Sequence, residues 1–149
     1  MASVVFGDDE VIRRVLSESR TWAVVGCSSR PGRDSGRIAA RLQREGYRVV
    51  PINPNAAPEM LGQQVWPSLA DVPQDIEVDV VDLFRRSSVV GRHVDEAIER
   101  GARAVWMQLG VIDPAAAQRA ADAGLDVVMD RCPAIELPRM GRHDQGSDT

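Results

Sequence analysis

The sequence predicts a doubly wound α/β fold, with a mainly parallel sheet of five to six strands and helices on both faces. Three segments support this prediction, because each repeats a helix-like stretch, a glycine and an apolar strand. They read "RLQREG-YRVVPIN", "EAIERG-ARAVWMQ" and "RAADAG-LDVVMD". Their strands are rich in valine and alternate only weakly between apolar and polar residues, which is typical of parallel strands covered on both faces. Such alternation of helices and strands favours right-handed crossovers within one sheet.

Two further apolar runs complete the five predicted strands, one just before Gly26 and one at Val78–Phe84. The three repeated glycines, Gly46, Gly101 and Gly124, each follow a helix-like stretch. A left-handed residue is needed at that position to end the helix, and glycine adopts this conformation without steric cost.

The helices and the longest connection follow from apolar spacing and from proline. Apolar periodicity predicts a first helix from about Asp8 to Ser17. In the helix after the first strand, Ile38 and Leu42 share one face and are expected to pack on the sheet. Four prolines interrupt residues 53–73, which predicts a long, functionally interesting loop with a short edge strand near Gln64–Trp66.

Length and composition indicate one soluble domain. The chain has 149 residues, of which 44% are hydrophobic and 27% charged, so we expect a single domain over residues 1–142 and a disordered polar tail over 143–149. The net charge of −4 disfavours nucleic-acid binding. No apolar run reaches the roughly 20 residues that span a membrane, and the N-terminus does not resemble a signal peptide, which predicts a cytoplasmic protein. The cysteine and histidine spacing predicts no metal site.

The loop between the first strand and the next helix is the first candidate binding site. Ligands of doubly wound sheets bind beyond the carboxyl ends of the strands, where the strand order reverses. The start of the helix offers unpaired N–H groups to an anion, and Asp34 or Ser35 is expected to cap it. The candidate residues of this loop are Gly26, Cys27, Ser28, Ser29, Arg30, Arg33 and Ser35.

The loop matches neither of the two common phosphate-binding patterns, GxGxxG and GxxxxGK[ST]. The chain also contains no lysine, which disfavours an ATPase. The residues therefore predict an anion site whose ligand stays open, and a strand–helix turn without a ligand is the alternative.

Asn53 and Pro54 end the second predicted strand, where NAD-binding domains carry an acidic residue that holds the ribose. An amide at this position does not specify NAD, although a phosphorylated ribose flanked by Arg30 and Arg33 remains compatible. The alternative interpretation of Asn53–Pro54 is a simple turn.

Cys27 has two interpretations. A thiol near a helix N-terminus and close to arginines can have a low pKa and be reactive. Free cysteines are, however, more often packed as small inert residues.

The chain resembles the stand-alone CoA-binding proteins, which are related to the CoA-binding domain of the succinyl-CoA synthetase alpha subunit. The matching stretches are "VVGCSSRPGRDS", "GYRVVPINPN", "VDVVDLFRR", "AVWMQLG" and "GLDVVMDRCPAIE". The resemblance implies a Rossmann-like sheet that binds CoA or acyl-CoA across the point where the strand order reverses. It implies that the loop from Gly26 to Ser35 contacts the phosphates and that Asn53 and Pro54 border the nucleotide end.

The same resemblance implies roles at two other strand ends. Phe84 and Arg85 are expected to wall the adjoining cleft, and Gln108 with Gly110 to lie near the pantetheine arm. The synthetase also needs a phosphohistidine from a second domain, which has no counterpart in this sequence. The resemblance therefore implies CoA binding without catalysis, and no catalytic residue is assigned.

Two other functions remain open from the sequence. An NADP-dependent oxidoreductase-like protein would also bind a phosphorylated adenosine, and a pure interaction module would use the same fold without a ligand. A homodimer and a complex with an unidentified protein are both compatible with the chain.

Overall fold

The computed structural model describes residues 6–55 and 58–141. The elements alternate along the chain as predicted. The strands are β1 (Thr21–Val25), β2 (Arg48–Ile52), β3 (Glu59–Met60), β4 (Gln63–Gln64), β5 (Val80–Leu83), β6 (Ala104–Met107) and β7 (Asp126–Val128). The α-helices are α1 (Asp9–Glu18), α2 (Asp34–Arg44), α3 (Ser87–Arg100), α4 (Pro114–Asp122) and α5 (Pro133–Arg139).

The central sheet confirms the predicted fold class. Its five strands run in the order β2-β1-β5-β6-β7, and every neighbouring pair is parallel. The strand order reverses between β1 and β5, which is where doubly wound sheets bind ligands. Val25 lies opposite both Ile52 and Leu83, so β1, β2 and β5 end together at one edge of the sheet.

Helices cover both faces of the sheet and bury two apolar clusters. Helices α3 and α4 pack on one face, whereas α1, α2 and α5 pack on the other. Ile38 and Leu42 are buried in the second cluster, which confirms the predicted inner face of α2. None of the helices among the described residues is long and apolar enough to cross a membrane.

The chain turns at the predicted glycines. Gly46, Gly101 and Gly124 have φ angles of 101°, 80° and 92°, so all three adopt the left-handed conformation expected after a helix. The first helix begins one residue later than predicted, because Asp8 is its N-cap and accepts a hydrogen bond from the amide of Val11 at 2.9 Å. The predicted tail, residues 143–149, lies outside the described residues.

The predicted edge strand near Gln64–Trp66 is only partly correct. Trp66 forms a single parallel bridge with Ile52, whereas β4 pairs with β3 in a separate two-stranded hairpin. Pro67 follows Trp66 and has no N–H to donate, so the pairing with β2 cannot extend further along the chain.

Arg100 fixes the loop that follows the hairpin. Its guanidinium group donates hydrogen bonds of 2.7–3.2 Å to four backbone carbonyl oxygens. The acceptors are Leu69, Val72, Pro73 and Ile76. This segment, which begins with a 3-10 helix at Leu69–Asp71, is thereby attached to the last turn of α3.

Asp82 is a buried carboxyl group in the middle of the sheet. Its side chain is fully buried, and neither carboxyl oxygen has a hydrogen-bond partner among the described residues. Burial raises the pKa of Asp82 well above its ordinary value, and the nearby backbone amide of Leu83 offsets this only in part. The carboxyl group is therefore protonated in the folded protein at pH values where the unfolded chain ionises it.

This difference in protonation between the folded and the unfolded chain predicts that the free energy of unfolding falls as the pH rises above about 4, the usual pKa of an unfolded aspartate. Unfolding releases a proton there, so Asp82 contributes a fall of up to about 1.4 kcal/mol per pH unit until the folded group itself ionises. Urea unfolding from pH 4 to pH 8 should show a shallower decline for Asp82→Asn than for the wild type. The exposed control Asp122→Asn should follow the wild-type curve, and parallel curves for Asp82→Asn would contradict the assignment.

Candidate functional site

A cleft of about 390 Å³ opens at the carboxyl edge of the sheet, at the point where the strand order reverses. We call it the first cleft. The loop after β1, the start of α2 and the turns after β2 and β5 surround it. Its lining residues are Gly26, Ser28, Ser29, Arg30, Arg33, Asp34, Ser35, Asn53, Asn55, Phe84 and Arg85.

The first cleft begins at the corner formed by Gly26. The amides of Gly26 and Cys27 both donate to the carbonyl oxygen of Ile52, at 2.8 and 3.3 Å. Gly26 has a φ of 84°, and a Cβ atom there would lie 3.1 Å from the carbonyl oxygen of Phe84. The corner therefore requires glycine both for its left-handed backbone and for its close approach to the turn after β5.

Helix α2 begins without a side-chain cap. Arg33 is the N-cap residue and its side chain makes no capping hydrogen bond, so the predicted cap at Asp34 or Ser35 is wrong. Asp34 instead forms an ion pair with Arg37 at 2.8 Å, and the hydroxyl of Ser35 accepts a hydrogen bond from the amide of Ser28 at 2.9 Å. The first-turn amides of α2 are left for an anion in the cleft.

Gly36 determines how closely the loop approaches α2, and the sequence analysis did not single it out. A Cβ atom at this position would lie 2.3 Å from the carbonyl oxygen of Ser28, a distance that real Cβ contacts do not reach. Any larger residue would push the loop after β1 away from α2. A glycine inside an otherwise good helix-forming stretch was the available signal, because such a residue usually has a packing reason.

Asn53 braces the loop from β2. Its side-chain amide donates to the carbonyl oxygen of Cys27 at 2.9 Å, and its side-chain oxygen accepts from the amide of Asn55 at 2.9 Å. The second bond is the turn considered as the alternative interpretation. Asn53 lines the first cleft while both ends of its amide hold the protein backbone in place.

Cys27 lies beneath the loop and does not line the first cleft. Its side chain is fully buried, and its sulfur lies 3.3 Å from the Met60 sulfur. Burial, the largest cause, together with negative charge on Asp82 raises the pKa of the Cys27 thiol to about 12. The thiol is therefore neutral at pH 7. The low pKa considered for Cys27 is therefore wrong.

Three of the remaining predicted residues line a cleft, and two do not. Phe84 and Arg85 wall the first cleft as expected, and Pro54 lines a second cleft next to it. Gln108 and Gly110 lie outside both clefts. The amide of Gln108 donates to the carbonyl oxygen of Leu83 at 3.3 Å, which places it at the end of β6. Contact of all these residues with a ligand stays a prediction.

The charge and shape of the first cleft suit an anion. Arg30, Arg33 and Arg85 contribute three guanidinium groups, whereas its one lining acid, Asp34, is paired with Arg37. Serine hydroxyls and backbone amides add further donors, and the lining contains no histidine or cysteine. These donors are of the kind from which phosphate oxygens accept hydrogen bonds.

The chain is similar to several known proteins. The uncharacterized protein YneT of Bacillus subtilis (strain 168) is 36% identical over 121 residues, covering 81% of this chain and 87% of that protein. A hypothetical protein from Pyrococcus horikoshii OT3 is 35% identical with a TM-score of 0.84, covering 94% of this chain and 99% of that one. The dinucleotide forming acetyl-coenzyme A synthetase 1 of Ca. Korarchaeum cryptofilum is 26% identical with a TM-score of 0.66, covering 80% of this chain but 28% of the synthetase.

The family comparison covers the whole sheet, helices α2 to α4 and all of α5 except its last residue, whereas α1 lies outside the matched range. The model of the CoA binding domain matches residues 20–138, a range that contains every residue lining the first cleft. The chain therefore belongs to the CoA binding domain family, as its sequence motifs had indicated.

Proposed function

We propose that the protein binds CoA or acyl-CoA in the first cleft, with the coenzyme diphosphate at the N-terminus of α2. The observation that carries the proposal is the uncapped first turn of α2, beside a loop that Gly36 allows to approach it closely. Free amides at a helix start and nearby guanidinium groups together form an anion site.

Arginine is the right cation for this task. All 18 basic residues of the chain are arginines, since it contains no lysine. A guanidinium group can bind two phosphate oxygens at once. Arg30 and Arg33 are exposed at the rim of the first cleft, where they can reach the diphosphate and the 3′-phosphate respectively.

The end of β2 supports CoA over NAD. Dinucleotide-binding domains hold a ribose hydroxyl with an acid at this position, whereas Asn53 uses its amide to brace the loop. The first cleft also lacks a histidine or cysteine. We therefore assign it binding alone and place no catalytic residue in it.

A ligand panel tests the proposal directly. Thermal unfolding should shift upward with CoA and less with dephospho-CoA, and it should not shift with NADH or NADPH. A ligand at 100 times its Kd stabilises a folded protein by about 2.7 kcal/mol, which is easily measured. Stabilisation by NADPH without stabilisation by CoA would replace the proposal with the NADP alternative.

Arg33→Glu should weaken CoA at least tenfold, about 1.4 kcal/mol, and weaken dephospho-CoA much less. The reason is that dephospho-CoA lacks the 3′-phosphate that Arg33 is proposed to bind. Arg44→Glu is the matched control, because it makes the same charge change at an exposed position in the last turn of α2. Titration calorimetry with both ligands gives the comparison, and equal losses for the two ligands would remove Arg33 from the 3′-phosphate site.

Gly36→Ala should also reduce CoA affinity at least tenfold, about 1.4 kcal/mol, because the new Cβ displaces the Ser28 carbonyl and the loop with it. Gly91→Ala is the matched control in a helix. Its Cβ would meet only side-chain ends, the Arg119 and Asp113 groups at 3.3 Å. Both variants gain helix propensity, so a difference between them reports the contact of Gly36 with the loop. Unchanged CoA binding by Gly36→Ala would show that the close approach is not needed.

A further inference from the structure

A second cleft of about 220 Å³ adjoins the first one and shares Gly26 and Arg85 with it. The first cleft lies on the α2 side of the sheet edge, and the second lies on the α3 side. Its volume is below the 300–1,000 Å³ usual for a complete ligand, so it suits one end of a molecule. Its apolar walls are Val25, Ile52, Pro54, Pro67 and Leu69, and its polar side chains are Ser68, Arg85, Arg92, His93 and Glu96.

A histidine and a glutamate form a dyad in this second cleft. Nδ1 of His93 lies 3.0 Å from Oε1 of Glu96. An ionised carboxylate only accepts hydrogen bonds, so Nδ1 carries the proton and Nε2 holds a free electron pair. Burial lowers the pKa of His93, and the opposing influence of Glu96 is smaller, so the ring is neutral at pH 7.

Nε2 of His93 is enclosed and has no hydrogen-bond partner among the described residues. The same is true of Nε of Arg85. A buried polar atom without a partner costs free energy, so two such atoms on residues that line one cleft indicate a ligand that pairs with them when it enters the cleft. Nε2 needs a donor, and Arg85 needs an acceptor.

The charges around Nε2 define the class of ligand further. Arg85 and Arg92 bring two positive charges to the second cleft, and the negative charge of Glu96 faces the other ring nitrogen. Ser68 and Leu69 on the opposite wall are uncharged. A group that gives up a proton and becomes an anion fits this arrangement, and a thiol beside an imidazole and guanidinium groups does so readily.

We propose that the second cleft receives the thiol end of the bound coenzyme, and that Nε2 of His93 accepts the thiol proton. The S–H bond breaks, an N–H bond forms on Nε2, and the electron pair stays on sulfur, so no oxidant or reductant is involved. Arg85 and Arg92 then stabilise the thiolate. Glu96 is a positioning residue that fixes the ring and stabilises the imidazolium. This proposal rests on the proposed binding of CoA in the first cleft.

The test measures the ionisation of the bound thiol. The ultraviolet absorbance of the thiolate is recorded against pH for the protein saturated with CoA, with the desulfo-CoA complex subtracted. We expect half-ionisation at least one pH unit below that of free CoA, a tenfold change in the acid dissociation constant. His93→Gln should return the midpoint to the free value, and Glu96→Gln should give an intermediate one.

Two controls keep the outcomes separable. Glu99→Gln changes an exposed acid on the same helix, outside the second cleft, and should leave the midpoint unshifted from that of the wild type. Calorimetry should give equal CoA affinities for Glu99→Gln and the wild type, and it confirms that each variant is saturated with CoA when its midpoint is read. Equal midpoints for free and bound CoA, or a shift that persists in His93→Gln, would overturn the role of His93 while leaving CoA binding intact. Absence of CoA binding in the wild type would overturn both proposals.

Discussion

The corner at Gly26 is the constraint on which the rest of the site depends. Three strands end together there, because the Ile52 carbonyl oxygen accepts the Gly26 and Cys27 amides and the Val25 carbonyl oxygen accepts the Phe84 amide at 3.0 Å. The backbone has no space for a Cβ atom between β1 and the turn after β5. Both clefts open from this corner, so its geometry determines where each of them lies.

The two edges of the sheet differ in how their polar atoms are satisfied. At the amino edge, the Asp79 carboxylate accepts hydrogen bonds from the amides of Arg20 and Thr21, at 2.8 and 3.0 Å. In the described part of the chain, the buried side-chain atoms without a partner belong to Asp82, Arg85, His93 and Gln108. These residues lie toward the carboxyl ends of β5 and β6 or in the first half of α3. The amino edge stabilises the fold, whereas two of the four residues with unpaired atoms, Arg85 and His93, line the clefts at the carboxyl edge.

The sequence predicted the fold well because the fold depends on local patterns. Valine-rich strands, helices that end at Gly46, Gly101 and Gly124, and the inner face of α2 are all encoded in short stretches. The loop after β1 could be recognised for the same reason. Its details could not, since the Ser35 hydroxyl accepts from the Ser28 amide instead of capping α2, and Cys27 is buried against the distant Met60. The contact of Gly36 with the loop is likewise tertiary, although the residue itself was visible in the sequence.

The second cleft shows why sequence alone could not find a proton acceptor here. The polar neighbours of His93 along the chain favour an exposed helix residue, yet its side chain is only 17% exposed. Leu69 and Pro67, from a loop more than twenty residues earlier, line the second cleft together with His93. Arg100 holds that loop in place through four carbonyl oxygens. An arginine at the end of α3 thus creates the buried surroundings that keep a histidine near its start neutral. Distant backbone contacts, and not the residues beside His93, set the chemistry of its free nitrogen.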